Sequence, residues 1–140
     1  MKYFIFICTL VLCMACKEDR SVDPTIMPKA TTSGENTFGC LIDDWLYVSG
    51  RWGVPTTNYI KQEDNIKINI SAEVDFASYI NFTILNPKQG ETVAYTQAYF
   101  DNQALEDGTV YITRMSNGII SGTFKGSRMT EGRFDLKYRE

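Results

Sequence analysis

The sequence predicts an all-β fold: a single antiparallel β-sandwich or small β-barrel of about 7–9 short strands. Three observations support the prediction. From Phe38 onward, apolar and polar residues alternate with a period of two, which is typical of strands with one buried and one solvated face. Turn signals separate the alternating runs at short intervals. No segment shows the sustained helical periodicity that a helix would need.

The first strands are expected at Phe38–Ile42 and Trp45–Ser49, joined through a turn at Asp43-Asp44. A less regular strand is expected near Val93–Phe100, where the alternation is weaker. The clearest alternation occurs in five further runs, 66–71, 80–84, 110–113, 120–125 and 133–139.

One hairpin and one close contact between strands follow from local sequence. Asn117-Gly118 lies between Thr109–Arg114 and Ile119–Lys125, and an Asn-Gly pair favours a two-residue type I′ turn. We therefore expect these two strands to pair directly. Gly122 falls on the apolar side of its strand, where a missing side chain leaves room for an aromatic ring such as Phe134.

Residues 1–15 have the features of a lipoprotein signal peptide. Lys2 supplies a positive charge, Tyr3–Met14 is apolar, and the small Ala15 precedes Cys16. The apolar stretch is too short to span a bilayer, which takes about 20 residues. We expect cleavage before Cys16 and lipid attachment to its thiol, which would tie the protein to a membrane.

The cleavage site Cys13-Met14-Ala15-Cys16 resembles a lipobox, although Cys13 replaces the usual aliphatic residue. The alternative is an ordinary secretory leader or a buried apolar segment. Lys17-Glu18-Asp19 resembles the export tag that sends lipoproteins of one Gram-negative phylum to the cell exterior. The alternative for these residues is a solvated, charged linker. The expected location is the outer membrane, with the protein lipid-anchored and facing outward.

Residues 16–36 are expected to be the lipidated cysteine and a flexible tether, and residues 37–140 the all-β domain. The tether is rich in Pro, Ser and Thr and has almost no hydrophobic pattern. Such a segment cannot bury enough apolar surface to order itself.

Net charge and amino-acid composition exclude several classes of function. The formal net charge is -3, and loss of the leader with Lys2 makes it more negative. With no basic stripe, nucleic acid is not an expected partner. The chain contains no His, which excludes Ser-His-Asp and Cys-His catalysis and ordinary catalytic zinc sites. No catalytic residue, metal ligand or cofactor is assigned, and Cys40 is interpreted as a buried apolar residue.

Aromatic residues suggest a binding function. Trp52, Tyr95 and Tyr99 are predicted to be exposed and to contact a ligand, because Trp and Tyr stack on sugar rings and anchor protein partners. The alternative is that they pack in the core. The favoured function is therefore a non-catalytic binding or accessory module for a glycan or a partner surface protein.

A carboxylate-dependent hydrolase that acts on glycans is the alternative function, since such chemistry needs only two facing acids. Calcium bound by the side-chain oxygens of Asp101, Asn102, Glu106 and Asp107 is chemically reasonable, but the spacing matches no known loop. The candidate acids lie in predicted turns or at strand ends: Asp43-Asp44, Glu63-Asp64, Glu73 with Asp75, and Glu106-Asp107.

The domain as a whole resembles a group of uncharacterised small lipoproteins from the same bacterial phylum. The resemblance covers about residues 36–140 and implies neither an activity nor site residues. This chain lacks the Gly that often follows the first turn in that group. The stretches that carry the resemblance are 36–42, 110–114, 119–124 and 132–138.

Overall fold

The structure is a computed structural model that describes residues 18–140. Over this range the chain is all-β, without a helix, and ten antiparallel strands form one sheet. The strands are β1 (Thr37–Ile42), β2 (Trp45–Ser49), β3 (Thr56–Gln62), β4 (Asn65–Asp75), β5 (Ser78–Leu85), β6 (Thr92–Phe100), β7 (Gln103–Ala104), β8 (Gly108–Ser116), β9 (Ile119–Lys125) and β10 (Met129–Lys137).

The sheet curls into a half-barrel, which agrees with the predicted sandwich-like or barrel-like fold. Its strand order is β2-β1-β10-β9-β8-β6-β5-β4-β3, and β7 pairs only with β6. The curling brings β3 back toward β10. The Thr57 hydroxyl donates to the Lys137 carbonyl at 2.8 Å, and the rings of Tyr59 and Tyr138 stack with centroids 5.6 Å apart. None of residues 18–140 belongs to a helix that could span a membrane.

The concave face of the sheet holds the core. Phe82 lies at its centre, with its ring centroid 5.0 Å from that of Phe124 and 5.1 Å from that of Tyr95. Each such apolar side chain contributes about 1.5–3 kcal/mol when fully buried. Phe134 and Leu136 are buried here as their alternation predicted, so the assigned phase of the last strand is confirmed on its apolar side.

The predicted β8–β9 hairpin is confirmed. Ser116 pairs with Ile119, and the two turn residues have positive φ angles, 52° at Asn117 and 70° at Gly118. Two positive φ angles are what a type I′ turn requires. Gly122 faces Phe134 directly across the β9–β10 pair, and a Cβ at Gly122 would lie 3.2 Å from that ring. The expected glycine–aromatic contact is therefore present.

Two strands were missed by the sequence pattern. β3 has adjacent Tyr59 and Ile60 rather than alternating apolar residues, because it is an edge strand with no fully buried side chain. β7 has two residues, both exposed. Because neither strand buries a full apolar face, neither sequence shows the period-two alternation of apolar and polar residues.

Residues 18–36, which we call the N-terminal segment, have no regular secondary structure and run along the convex face of the sheet. The prediction of a flexible tether does not describe them, because the sheet supplies contacts that the segment cannot supply itself. The Arg133 guanidinium donates to the Pro28 carbonyl at 3.3 Å. The Arg114 guanidinium donates to the Thr32 carbonyl at 2.6 Å.

Asp135 is the main point of attachment, although its polar position in the alternating run 133–139 predicts a solvated side chain. Its carboxylate is 0% exposed because it accepts hydrogen bonds from the Thr31 hydroxyl at 2.7 Å and from the backbone N–H groups of Gly34 at 2.9 Å and Glu35 at 3.0 Å. The hydroxyl of Ser121, also expected to be solvated, donates to Asp135 at 2.6 Å and is equally buried.

These hydrogen bonds set the ionisation of Asp135. Burial alone raises the pKa of a carboxyl group, but the hydrogen bonds from Glu35, Ser121, Thr31 and Gly34 outweigh it and hold the pKa of Asp135 below its usual value. Asp135 is therefore a buried carboxylate that stays charged because its donors replace water.

Candidate functional site

The convex face of β4, β5 and β6 carries a shallow recess of about 430 Å³. No described residue that lines it is charged. Its polar side chains are amides and hydroxyls, and we call this surface the amide face. The side chains that define it are Asn69, Ser71, Asn81, Thr83, Gln97 and Tyr99.

Strand register brings the amide face together. Ser71 lies directly opposite Asn81, and Asn69 directly opposite Thr83, across the β4–β5 pair. Directly opposed side chains have Cβ atoms about 4.5–5.5 Å apart. The Thr83 hydroxyl donates to the Asn69 side-chain oxygen at 2.8 Å. The recess is therefore built on paired strands, which hold these side chains in fixed relative positions.

A bulge in β6 completes the face. The β5–β6 register shifts between Asn81, which faces Tyr99, and Thr83, which faces Thr96. Two residues of β6, Gln97 and Ala98, lie opposite the single residue Phe82 of β5, and the φ of Gln97 is 52°. A bulge of this kind re-aims side chains beside it. As a result Gln97 is exposed, and its side-chain oxygen lies 3.4 Å from the Thr83 hydroxyl.

The same bulge separates two of the aromatic residues predicted to bind a ligand. Without it, Tyr95 and Tyr99 would point to the same side of β6, since they are four residues apart. In the structure Tyr99 is 44% exposed and lies on the amide face, whereas Tyr95 is 0% exposed and lies in the core. The expected exposure of Tyr95 was wrong, because the bulge reverses the alternation between the two residues.

Tyr95 occupies a space left by two glycines. Its hydroxyl lies where side chains at Gly108 and Gly126 would otherwise be. Within the described residues 18–140 the hydroxyl has no hydrogen-bond partner, and burial raises the pKa of Tyr95 to about 12. A neutral phenol enclosed in this way serves packing.

Trp52 lies elsewhere. It is half-buried in the loop between β2 and β3, where the Arg51 guanidinium carbon is 5.6 Å from the centroid of its ring. Trp52 is not among the residues that line the amide face. Cys16, the predicted lipidation site, falls outside the described residues.

Sequence reasoning missed the amides of the face and one neighbouring aromatic residue. Tyr79 is 42% exposed and comes two residues before Asn81, on the same side of β5. The available signal was the polar half of the alternation: between the buried isoleucines of β4 and β5, the outward positions of this region hold uncharged Asn, Ser and Thr. In β4 the two neutral positions stand between the outward Lys67 and Glu73, so this signal was short.

A second recess, of about 500 Å³, lies on the convex face of β6, β8, β9 and β10. Its lining includes Lys125, Glu131 and Arg133, and also the 46% exposed Tyr111. We call it the charged recess. The guanidinium of Arg133 also contacts the N-terminal segment, so the segment reaches the margin of this recess but not the amide face.

The candidate acids of the hydrolase alternative do not lie in either recess as a pair. Asp43 forms hydrogen bonds with the Arg128 guanidinium, which hold its pKa below the usual value, the opposite of what a general acid needs. The Glu73 carboxylate accepts from the Ala77 backbone N–H at 3.1 Å. Burial raises the pKa of Cys40 to about 12, which leaves it a protonated thiol.

Among residues 18–140 there is no group of three or more Cys, Asp or Glu side chains placed to hold a metal ion. No protein family, no curated protein and no solved structure matches this chain.

Proposed function

We propose that this protein is a lipoprotein attached through Cys16 to the outer membrane, facing the cell exterior, and that its amide face binds a neutral glycan without catalysis. The observation that carries the binding proposal is the uncharged recess of amides and hydroxyls beside the half-exposed ring of Tyr99.

The chemistry of the face suits a sugar. Asn and Gln side chains each offer a donor and an acceptor, and Ser and Thr hydroxyls offer both in one group. Sugar hydroxyls have the same dual character. The Tyr99 ring supplies an apolar surface on which the C–H face of a sugar ring stacks. A face without charge gives no advantage to an acidic ligand over a neutral one.

The support for membrane attachment is sequence alone: an apolar leader, the small Ala15 before Cys16, and the charged run Lys17-Glu18-Asp19. The resemblance to uncharacterised surface lipoproteins is also a prediction from sequence. Labelling cells with radioactive palmitate tests the lipid attachment, since the wild-type protein should carry the label and a Cys16→Ser variant should not.

A partner surface protein is the second candidate ligand. It is favoured by two large apolar side chains that stand open to solvent, Trp45 at 75% and Phe76 at 78% exposure. The hydrolase alternative has less support, since Asp43 and Glu73 are held by local hydrogen bonds and Glu63-Asp64 lies in an exposed turn.

Binding to an array of uncharged oligosaccharides tests the glycan proposal. Tyr99→Ala should weaken binding about tenfold, equivalent to about 1.4 kcal/mol, and Asn81→Ala should also weaken it. Tyr111→Ala is the matched control, since that tyrosine is equally exposed but lies on the charged recess. Loss of binding in the control alone would move the site to the charged recess. Release of reducing sugar by the wild-type protein would favour the hydrolase.

A further inference from the structure

The described chain begins with residues that are fastened to one loop of the sheet. The Asp19 backbone N–H donates to the Arg51 carbonyl at 2.6 Å, and the Arg51 guanidinium donates to the Glu18 carboxylate at 2.8 Å. Arg51 lies just beyond the end of β2. The N-terminal segment is therefore held at the loop between β2 and β3, 50–55, before it continues toward Asp135.

This attachment limits where a lipid on Cys16 can lie. Cys16 precedes Glu18 by two residues, and two residues span at most about 7 Å. A free tether over residues 16–36 could instead extend about 70 Å. A lipid carried by Cys16 would therefore lie within this short reach of Glu18, which is hydrogen-bonded to Arg51 of the 50–55 loop.

Two large apolar side chains stand exposed beside this loop. Ile26 is 63% exposed and Val54 is 61% exposed, and both line one recess together with Asp19 and Gly50. Trp52 belongs to the same loop and is half-buried. Trp is enriched where membrane and water meet, because its ring is apolar and its N–H is polar. We call Ile26, Trp52 and Val54 the docking patch.

Charges around the patch are mixed in sign, with a small acidic excess. Asp19, Asp23 and Glu35 line the recess together with Lys29, and the Glu18 carboxylate is paired with both Arg20 and Arg51. Attraction to anionic headgroups is therefore not available as the main driving force. Burial of apolar side chains is an available driving force, and salt does not weaken it as salt weakens the attraction between exposed charges.

We propose that the docking patch lies against the same lipid surface that holds the Cys16 lipid, so that the domain rests on the membrane in one orientation. The inference rests on the proposed lipidation. It goes beyond anchoring, because the chain near the anchor is held by the sheet and the apolar side chains beside it face the bilayer.

Tryptophan fluorescence of the lipidated, full mature protein in phosphatidylcholine vesicles with brominated acyl chains tests the proposal. The Trp45→Phe variant reports on Trp52 alone, and Trp52→Phe reports on Trp45 alone, which stands at the other end of β2. Trp52 should be quenched, in low and high salt alike, and Trp45 should not. An unquenched Trp52, or equal quenching of both, would overturn the docking.

An added aspartate separates docking from proximity. In the Trp45→Phe background, Ile26→Asp or Val54→Asp should reduce the quenching of Trp52, whereas the matched control Phe76→Asp should not. All three side chains are exposed, so the fold is retained. The mass of the N-terminal peptide decides which proposal fails: lipid present without quenching refutes the docking alone, and lipid absent refutes the anchoring and the docking that rests on it.

Discussion

The convex face of this sheet has two halves that begin from the same pattern and end differently. Over β9 and β10, the outward Ser121 and Asp135 are buried under the N-terminal segment. Over β4 and β5, the outward Asn69 and Asn81 line an open recess. Both pairs alternate with core residues. The difference shows that a polar residue at an outward strand position becomes structural or available for a ligand according to what covers it.

The largest effect is expected from the apolar layer beneath the covered half. Phe134→Asp should unfold the domain, because an unpaired buried charge costs a large part of the roughly 5–15 kcal/mol that holds a domain folded. Lys137→Asp, at an exposed position on the same strand, should change stability by less than about 0.5 kcal/mol. Circular dichroism with urea titration measures both. Equal effects would refute the assigned strand phase.

The direct comparison of the two halves is Asp135→Ala against Asn81→Ala. Removing the Asp135 carboxylate leaves the buried donors of Ser121 and the N-terminal segment without an acceptor, so we expect a loss of about 2–4 kcal/mol. Asn81→Ala should cost less than about 0.5 kcal/mol, because water replaces its contacts. Urea unfolding midpoints at neutral pH measure both losses of stability. A larger loss for Asn81→Ala than for Asp135→Ala would mean that the open half is the structural one.

A smaller and graded effect is expected from pH. Because folding lowers the pKa of Asp135, its contribution is present above the unfolded pKa, about 3.9, and is lost as the pH falls through the folded value. The stability gap between wild type and Asp135→Asn should therefore narrow below about pH 4. Other acids titrate in both proteins and cancel in the difference. A gap that stays constant down to pH 2 would contradict the assignment of Asp135 as a buried carboxylate.

The part of the fold that local sequence determines is the part with strong alternation. The apolar side of β10, the Asn117-Gly118 turn and the contact of Gly122 with Phe134 depend on residues that are neighbours in the chain or on directly paired strands. β3 was not predicted because it is an edge strand without a fully buried side chain, and such a strand does not need alternating apolar and polar residues.

What the sequence determined by itself is the set of strands with strong alternation and which side of each is apolar, since a period of two is a local property of the chain. The tertiary structure alone decided which outward residues are covered: Thr31 meets Asp135 across a separation of 104 residues. It also decided that Tyr95 is buried and Tyr99 exposed, because the bulge at Gln97 changes the phase of β6. Burial of a polar group depends on contacts between distant segments, and no local pattern encodes those contacts.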